Sequence, residues 1–356
     1  MALLFMDTFD HYYNSTLGAL KWTQAAANGT FTLSSTSTSA LAFPGGGQVL
    51  THSSGGNNVV TSKTLASNYT TGIAGGWFYF TSLPGTTEAI LGLSDGASLP
   101  CQVSVAGDGA GHLTVYRGHS SGSAGTLLAT SASTISTNTW YHIELKATIN
   151  NTTGAYEVRV NGSAVIGPTT GANTRNSANN QFNVFTLLNG ASGNSLTQCK
   201  LAYVCDTSGS SAADFLGVVR GVVLQPSGAG NYAQWTANSG ANFYTVKESP
   251  VVDGDLSFNA TGTANNIDSF TMTDLPSGSG TVMAAQTVIY ARQDAGAART
   301  MAPFFRISST DYTGTTVSLA ASYAYYLQQY SVSPATSSAW TVSELNAAES
   351  GYKLIS

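Results

Sequence analysis

The stretch TNTWYHIELKATINNTTGAYEVRVNG, residues 137–162, decides the architecture. Read by twos, Trp140, His142, Glu144 and Lys146 fall on one side, and Tyr141, Ile143, Leu145 and Ala147 on the other. Five turn formers follow, Asn150-Asn151-Thr152-Thr153-Gly154. A second alternating run then sets Tyr156, Val158 and Val160 against Glu157 and Arg159. It ends in Asn161-Gly162, the dipeptide that closes a type I′ turn. Period-two alternation bounded by such turns predicts an antiparallel hairpin.

Working outward, strand-like runs recur at the spacing of a sandwich or jelly roll. In the front half they fall at 21–22, 30–33, 47–51, 59–65, 76–81, 89–93, 102–105, 112–117, 126–129, 182–188 and 200–205. Glycine clusters separate them, as at 45–47, 107–111 and 118–125. A small polar run, DTSGSSAADFLG at 206–217, reads as a seam. Beyond it, strands are expected at 218–224, 242–248, 269–272, 282–292, 301–307, 317–318 and 324–330. The segment SAWTVSELNAAESGYKL carries the one helix expected. Thr341-Val-Ser-Glu344 has the form of a capping box, and Gly351 is the expected left-handed stop.

Composition narrows the class. Of 356 residues only 9% are charged, against about a quarter in ordinary globular chains. Seventeen Tyr, 14 Phe and 5 Trp argue against disorder. The expectation is a β-rich protein with a hydroxyl-rich, nearly uncharged surface, suited to subunit packing or to hydrogen-bonding sugars. A net charge of −5 and the lack of any Lys/Arg cluster exclude nucleic acid as a partner. No apolar run reaches 18 residues, so no membrane insertion is expected. MALLFM lacks a basic flank and is followed by Asp7 and Asp10, so no signal peptide is read and synthesis in a bacterial cytoplasm is expected. Cys101, Cys199 and Cys205 are expected as reduced buried thiols, the last two on one strand face.

The hairpin, together with FDHY at 9–12 and GGWFYF at 75–80, resembles the concanavalin A-like lectin/glucanase and laminin G-like group, in which such a hairpin belongs to a curved jelly-roll sheet. A narrower resemblance spans nearly the whole chain. YVCDTSGSSAADFLGVVRGVVLQPSGAGNYAQWT at the seam, VVDGD at 251–255 and AWTVSELNAAESGYKL near the end are similar, in order, to a family of bacteriophage virion proteins with a lectin-like front half. The chain departs from that family in two places. The strand before the seam reads Gln198-Cys199-Lys200-Leu201-Ala202-Tyr203 without the usual carboxylates, and an Asp is missing at Gly217-Val218-Val219-Arg220.

Glycoside hydrolysis needs two carboxyl groups across one bond. Glu88, Asp95, Asp108, Glu144 and Glu157 stand alone, and Asp253-Gly-Asp255 reads as a turn that caps backbone amides. Asp7 and Asp10 read as local hydrogen-bonders. The histidines, His142 included, show no metal-ligand spacing, and no nucleophile elbow or phosphate loop is present. No cofactor and no metal are expected. For carbohydrate, the candidates are Trp140, Trp77, Tyr116, Trp235 and Tyr232, with Tyr12 and Tyr244 behind them; the competing reading is that such large aromatics fill a core. SYAYYLQQY, with Tyr323, Tyr325, Tyr326 and Tyr330, is expected at an interface, where aromatics are enriched and charge is depleted.

The expectation is therefore an all-β chain: a concanavalin A-like jelly-roll sandwich over 1–212, then a second β-sandwich-like domain over 213–356 with one short C-terminal helix. The virion resemblance implies a non-enzymatic structural component of a tailed bacteriophage, a tail fibre, tip or collar element. Its partners would be other virion proteins and further copies of the chain, a homotrimer first. A glycan-binding receptor-binding protein using host polysaccharide, a capsid decoration protein and a polysaccharide hydrolase remain as alternatives.

Overall fold

Backbone amides in these short, β-branched and aromatic runs are satisfied by antiparallel ladders, and the protein is nearly all β. The computed structural model describes residues 3–12, 21–26, 30–35, 47–53, 59–120, 122–190, 197–208, 214–247, 253–294 and 296–356. It divides into two units. One runs to Gly221, and the other takes Val222–Ser356 together with His11 and Tyr12. No helix among the described residues is long and apolar enough to cross a membrane.

In chain order the first unit contains β1 (Leu3–Asp7), β2 (Thr23–Ala26), β3 (Thr30–Ser35), β4 (Gln48–Ser53), β5 (Val59–Tyr69), β6 (Thr71–Phe80), β7 (Ala89–Ser94) and β8 (Cys101–Gly107). It continues with β9 (His112–Arg117), β10 (Thr126–Thr134), β11 (Trp140–Thr148), β12 (Gly154–Val160), β13 (Ser163–Ala172), β14 (Phe182–Gly190) and β15 (Thr197–Asp206). One sheet has the order β13-β12-β11-β6-β15-β4-β3, with β1 also on β15; the other runs β10-β9-β8-β7-β14-β5-β2. The hairpin forms in the expected register, Ile143 opposite Val160 and Leu145 opposite Val158. Asn161 and Gly162 both take positive φ, 51° and 83°, as a type I′ turn requires. Phe78, Phe80, Phe182, Phe185, Ile143 and Leu145 are fully buried; each such side chain contributes roughly 1.5–3 kcal/mol through removal from water.

A bulge in β15 overturns the expectation that Cys199 and Cys205 share a face. Cys199 pairs with Phe78 but Cys205 pairs with Ile73, and register shifts between Cys199 and Ala202. Phe78 and Ile73 lie an odd number of residues apart on β6, so the two thiols point to opposite faces. All three cysteines are free and buried. Asp7 and Asp10 do bond locally, Asp7 accepting from Phe9 N at 2.9 Å and Asp10 from Thr8, and both also find distant partners. Trp22 Nε1 donates to Asp7 at 2.7 Å, and Asp10 pairs with Lys200 while accepting from Gln48 N.

The expected seam at 212 falls short of the observed division. Phe215, Leu216 and Val219 pack on Ile73, Trp77, Leu201, Tyr203 and Cys205 of the first unit, so the segment 214–221 is a strap across the outer face of its sheet. Apolar side chains there hold the strap to that unit, and the run 218–224 forms no strand.

The second unit contains β16 (Pro226–Ala233), β17 (Thr236–Ala237), α1 (Asn242–Thr245), β18 (Asn259–Ala260), β19 (Ile267–Met272), β20 (Ala285–Ala291), β21 (Thr300–Ile307), β22 (Thr310–Thr313), β23 (Val317–Ser318), β24 (Ala324–Tyr330), α2 (Val342–Ala347) and β25 (Glu349–Leu354). Its main sheet has the order β16-β19-β25-β21-β22, with β23 on β21; β17-β18 and β20-β24 form two-stranded ribbons. The strand expected at 242–248 is instead the short helix α1. Asn242 Nδ2 donates to Trp235 O and to the buried Asp268 carboxylate, 2.7 Å each, which holds the turn closed. The helix α2 starts as its capping box requires, with the Thr341 side chain accepting from Glu344 N at 3.0 Å. It ends at Ala347, and Gly351 is no helix stop. Gly351 lies inside the central strand β25, where a Cβ would collide with the Asp268 carbonyl oxygen.

Candidate functional site

The site is an open cleft in the second unit, built on the hairpin β21–β22. Ser308 and Ser309 both take positive φ, 49° and 68°. The tight turn they make sets Asp311 opposite Arg306 and Tyr312 opposite Phe305. Arg306 and Asp311 form an ion pair. Tyr232 of β16 donates its hydroxyl to Asp311 Oδ2 at 2.7 Å, and the Arg306 guanidinium stands 5.6 Å from the Tyr232 ring centre. Asp311 is thus held by one cation and one phenol on the face of the hairpin opposite Phe305 and Tyr312. These hydrogen bonds push the Arg306 and Tyr232 pKa values up.

The facing wall is the end of β24, Gln328-Gln329-Tyr330, and the following residues Ser331, Val332 and Pro334. Tyr330 is anchored from beneath. Its ring meets Phe305 edge-on at 5.0 Å, and Trp340 Nε1 donates to its carbonyl at 3.0 Å. Its hydroxyl is buried without a hydrogen-bond partner among the described residues, and burial pushes its pKa up to about 12. Gly314 makes room for it: a Cβ there would stand 2.8 Å from that hydroxyl. Gln328 Oε1 accepts from Thr315 N at 2.6 Å, which commits the acceptor end of the amide. About 640 Å³ lies in the cleft, which is open to solvent. Its aromatic rings, amides and hydroxyls suit a ligand with alternating apolar faces and hydroxyl groups.

The aromatics singled out from sequence are dispersed. Trp77 is buried beneath the strap, its Nε1 donating to Val219 O at 2.7 Å, and Tyr116 is buried beside His119. Neither offers a ring face to a sugar, because both side chains are buried. Trp140 is half-buried against Tyr79. Trp235 packs edge-on to Tyr352 at 4.7 Å and donates to Asn266 O. Tyr232 is bonded to Asp311 on the face of the hairpin opposite Tyr312 and does not line the cleft. Of the tyrosines expected at an interface, Tyr330 lines the cleft. Tyr325 is buried and donates to His11 O, Tyr323 stacks on Tyr290 at 4.8 Å, and Tyr326 accepts from Ala320 N. Tyr12 is fully buried and Tyr244 is exposed. Sequence reading missed Asp311, Tyr312 and Gln328; the Tyr/Gln density of SYAYYLQQY was the available signal. Asp253 does cap an amide, Ser257 N, at 3.0 Å, whereas Asp255 holds Arg292 and Tyr323.

A second polar cluster lies under the strap in the first unit. Glu144 Oε1 accepts from Tyr203 OH at 2.7 Å and from Leu216 N at 2.9 Å. His142 and Glu144 are both fully buried, with 3.9 Å between Nδ1 and Oε2. Burial lowers the His142 pKa to about 4 and raises that of Glu144. With the imidazole neutral, that approach is not an ion pair, and the group is structural: it ties the strap to β11 and β15.

No protein-family model and no curated protein matches the sequence. Solved structures do resemble part of the chain. A cellulose induced protein is 16% identical, with 56% of this chain and 95% of that one covered, at a TM-score of 0.39. A carbohydrate binding module from Bacillus subtilis is 12% identical, covering 52% and 96% of the two chains, at 0.32. The lectin UEA-II, complexed with galactose, is 10% identical, covering 57% and 98%, at 0.35.

Proposed function

We propose that the protein is a non-catalytic, saccharide-binding component of a bacteriophage virion, engaging bacterial surface polysaccharide through the cleft of its second unit. The observation that carries this reading is the open cleft lined by Tyr312, Gln328, Gln329 and Tyr330, where aromatic rings stand beside amides, a pairing that suits saccharides. Asp311, the one carboxylate among the lining residues, is already bonded to Arg306 and Tyr232, which supports a role without catalysis. The virion setting is supported by the ordered resemblance that runs through both halves of the sequence. A purely architectural role is the second reading. It is favoured by β20 and β24, which pair only with each other among the described residues and carry no charged side chain, so their outer edges suit packing against another chain.

Light scattering on the purified protein, alone and with bacterial surface polysaccharide, tests both readings, with reducing-end release followed in parallel. The expected result is a rise in mass on adding polysaccharide and no new reducing ends. Release of reducing ends overturns the non-catalytic reading. A stable oligomer indifferent to polysaccharide replaces saccharide binding with architecture.

A further inference from the structure

We infer that Glu144 is a carboxylic acid at neutral pH, shares its proton with His142, and makes the strap a proton-linked latch that alkali loosens. Under the strap, two buried polar atoms face each other with no donor between them. His142 Nδ1 and Glu144 Oε2 stand 3.9 Å apart on side chains with no exposed surface. Neither atom has a hydrogen-bond partner among the described residues. Such orphaned polar atoms are costly in an interior.

The placement of one proton resolves the conflict. Tyr203 donates its hydroxyl proton to Glu144 Oε1 at 2.7 Å, so towards His142 Nε2, 3.5 Å away, the phenol can only accept. Nε2 therefore carries the imidazole proton, and in the neutral ring Nδ1 is a bare acceptor. An ionised Glu144 would set a second bare acceptor against it. A proton on Oε2 makes that oxygen a donor towards Nδ1, and a small turn of either side chain closes the bond. The other oxygen, Oε1, then acts as a carbonyl, and Tyr203 OH and Leu216 N fill its two lone pairs. The groups around the pair leave this balance in place. Tyr203 and Cys205 of β15 are kept neutral by burial, and β6 contributes Trp77, which does not titrate. Arg159 of β12 favours the carboxylate but is bonded to Glu157, and Lys146 is paired with Asp214 of the strap.

Lifting the strap returns both groups to water. Above about pH 6.5 the freed imidazole stays neutral while the freed carboxyl ionises. Opening then releases one proton and becomes about tenfold easier per pH unit, up to the pH at which Glu144 ionises under the strap. Between about pH 4.3 and 6.5 the imidazole takes up the proton that the carboxyl loses, and opening is indifferent to pH. What opening bares is an aromatic and apolar surface: Trp77, whose Nε1 donates to Val219 O in the closed form, with Ile73, Leu201 and Tyr203.

The test is hydrogen exchange at the Leu216 and Gly217 amides of the full-length protein from pH 5 to 9, corrected for the intrinsic rate, with an infrared spectrum at pH 7. Glu144→Gln puts an amide N–H where the acid carries its proton. Phe215→Ala loosens the strap and leaves the pair intact. The parent's protection should stay level below about pH 6.5 and fall about tenfold per unit above it. Glu144→Gln should be level above pH 6.5, and Phe215→Ala should lie lower at every pH with the parent's slope. The parent should show a carboxylic acid carbonyl band at pH 7 that Glu144→Gln lacks. Protection in the parent that ignores pH throughout, or no such band, overturns the inference, because Glu144 is then ionised. A slope above pH 6.5 that survives in Glu144→Gln, or vanishes in Phe215→Ala, overturns Glu144 as the group responsible. If Glu144→Gln does not fold, the parent's band and the slopes of the parent and Phe215→Ala decide the matter.

Discussion

His142 offers a test of the first unit's interior that pH alone can read. The side chain is fully buried. Its ring meets Trp77 edge-on at 5.3 Å and stacks on Tyr203 at 6.1 Å. Burial lowers its pKa from 6.5 to about 4. The native state therefore holds it neutral while the unfolded chain protonates below about pH 6.5. The stability it contributes is fully present above pH 6.5 and is lost as pH falls towards 4. At ~1.36 kcal/mol per pKa unit, the loss is about 3 kcal/mol. Glu144 works in the opposite sense. Its pKa is raised by burial, so its contribution is full below the unfolded value of about 4.3 and fades as pH rises through the folded value.

The perturbation is His142→Phe, which keeps an aromatic ring against Trp77 and removes the titration. Urea unfolding followed by tryptophan fluorescence from pH 4 to 7 should show the variant losing about 3 kcal/mol less on acidification than the parent. Some acid sensitivity will persist through His119, also buried and lowered to about 4. Glu144→Gln should steepen the parent's rise in stability between pH 4 and 6.5, because it removes only the opposing contribution. An unchanged pH profile in His142→Phe would refute the reasoning. So would a large loss at pH 7 in Glu144→Gln that spares the strap amides, since that outcome requires His142 and Glu144 to be an ion pair.

Two further expectations concern single side chains. Gln102 organises the loop before β14: its Oε1 accepts from Asn176 N and Ser177 N, and its Nε2 donates to Ser177 Oγ, Asn179 O and Gln181 O. Gln102→Ala should cost roughly 1–3 kcal/mol, because part-buried backbone groups of that loop lose their partners, with faster hydrogen exchange at Asn176 and Ser177. Gly351→Ala should cost about 2–3 kcal/mol by overpacking the β19–β25 pair against Asp268, measured as a lower urea midpoint for the second unit.

The first unit was largely legible because its strands alternate and its turns carry their own chemistry, as Asn161-Gly162 does. The elements missed have weak periodicity for identifiable reasons. The strand β13, SAVIGPTTGA, contains glycine and proline, and β16, PSGAGNYA, begins at a proline and is dominated by small residues. Both are edge strands, where one unpaired side tolerates such sequences. The stretch at 242–248 alternates like a strand, yet its backbone follows the side-chain bonds of Asn242 to Trp235 O and Asp268. Such long-range bonds leave no periodic trace. At the C-terminus the capping box fixed where α2 begins but not where it ends. The residue that reads as a helix stop, Gly351, is required by the close approach of a neighbouring strand.

The site was harder to read than the fold, and Trp77 shows why. In a two-layer sandwich, alternation separates a core face from a second face, and an aromatic on the second face reads as exposed. Here the second face of β6 and β11 is roofed by Phe215, Leu216 and Val219, so the side chains His142 and Glu144 are as buried as Ile143 and Leu145. A strap supplied from the seam turns would-be surface into interior, and nothing in the alternation of residues 140–147 announces it. The cleft depends on a different kind of information. Tyr312 and Gln328 are ordinary residues in sequence. The candidate cleft they line is formed by the two-serine turn that returns β22 beside β21 and by the glycine that lets β24's tyrosine approach. Such a cleft follows from where backbone turns bring polar ends together, whereas aromatic content alone points at the core.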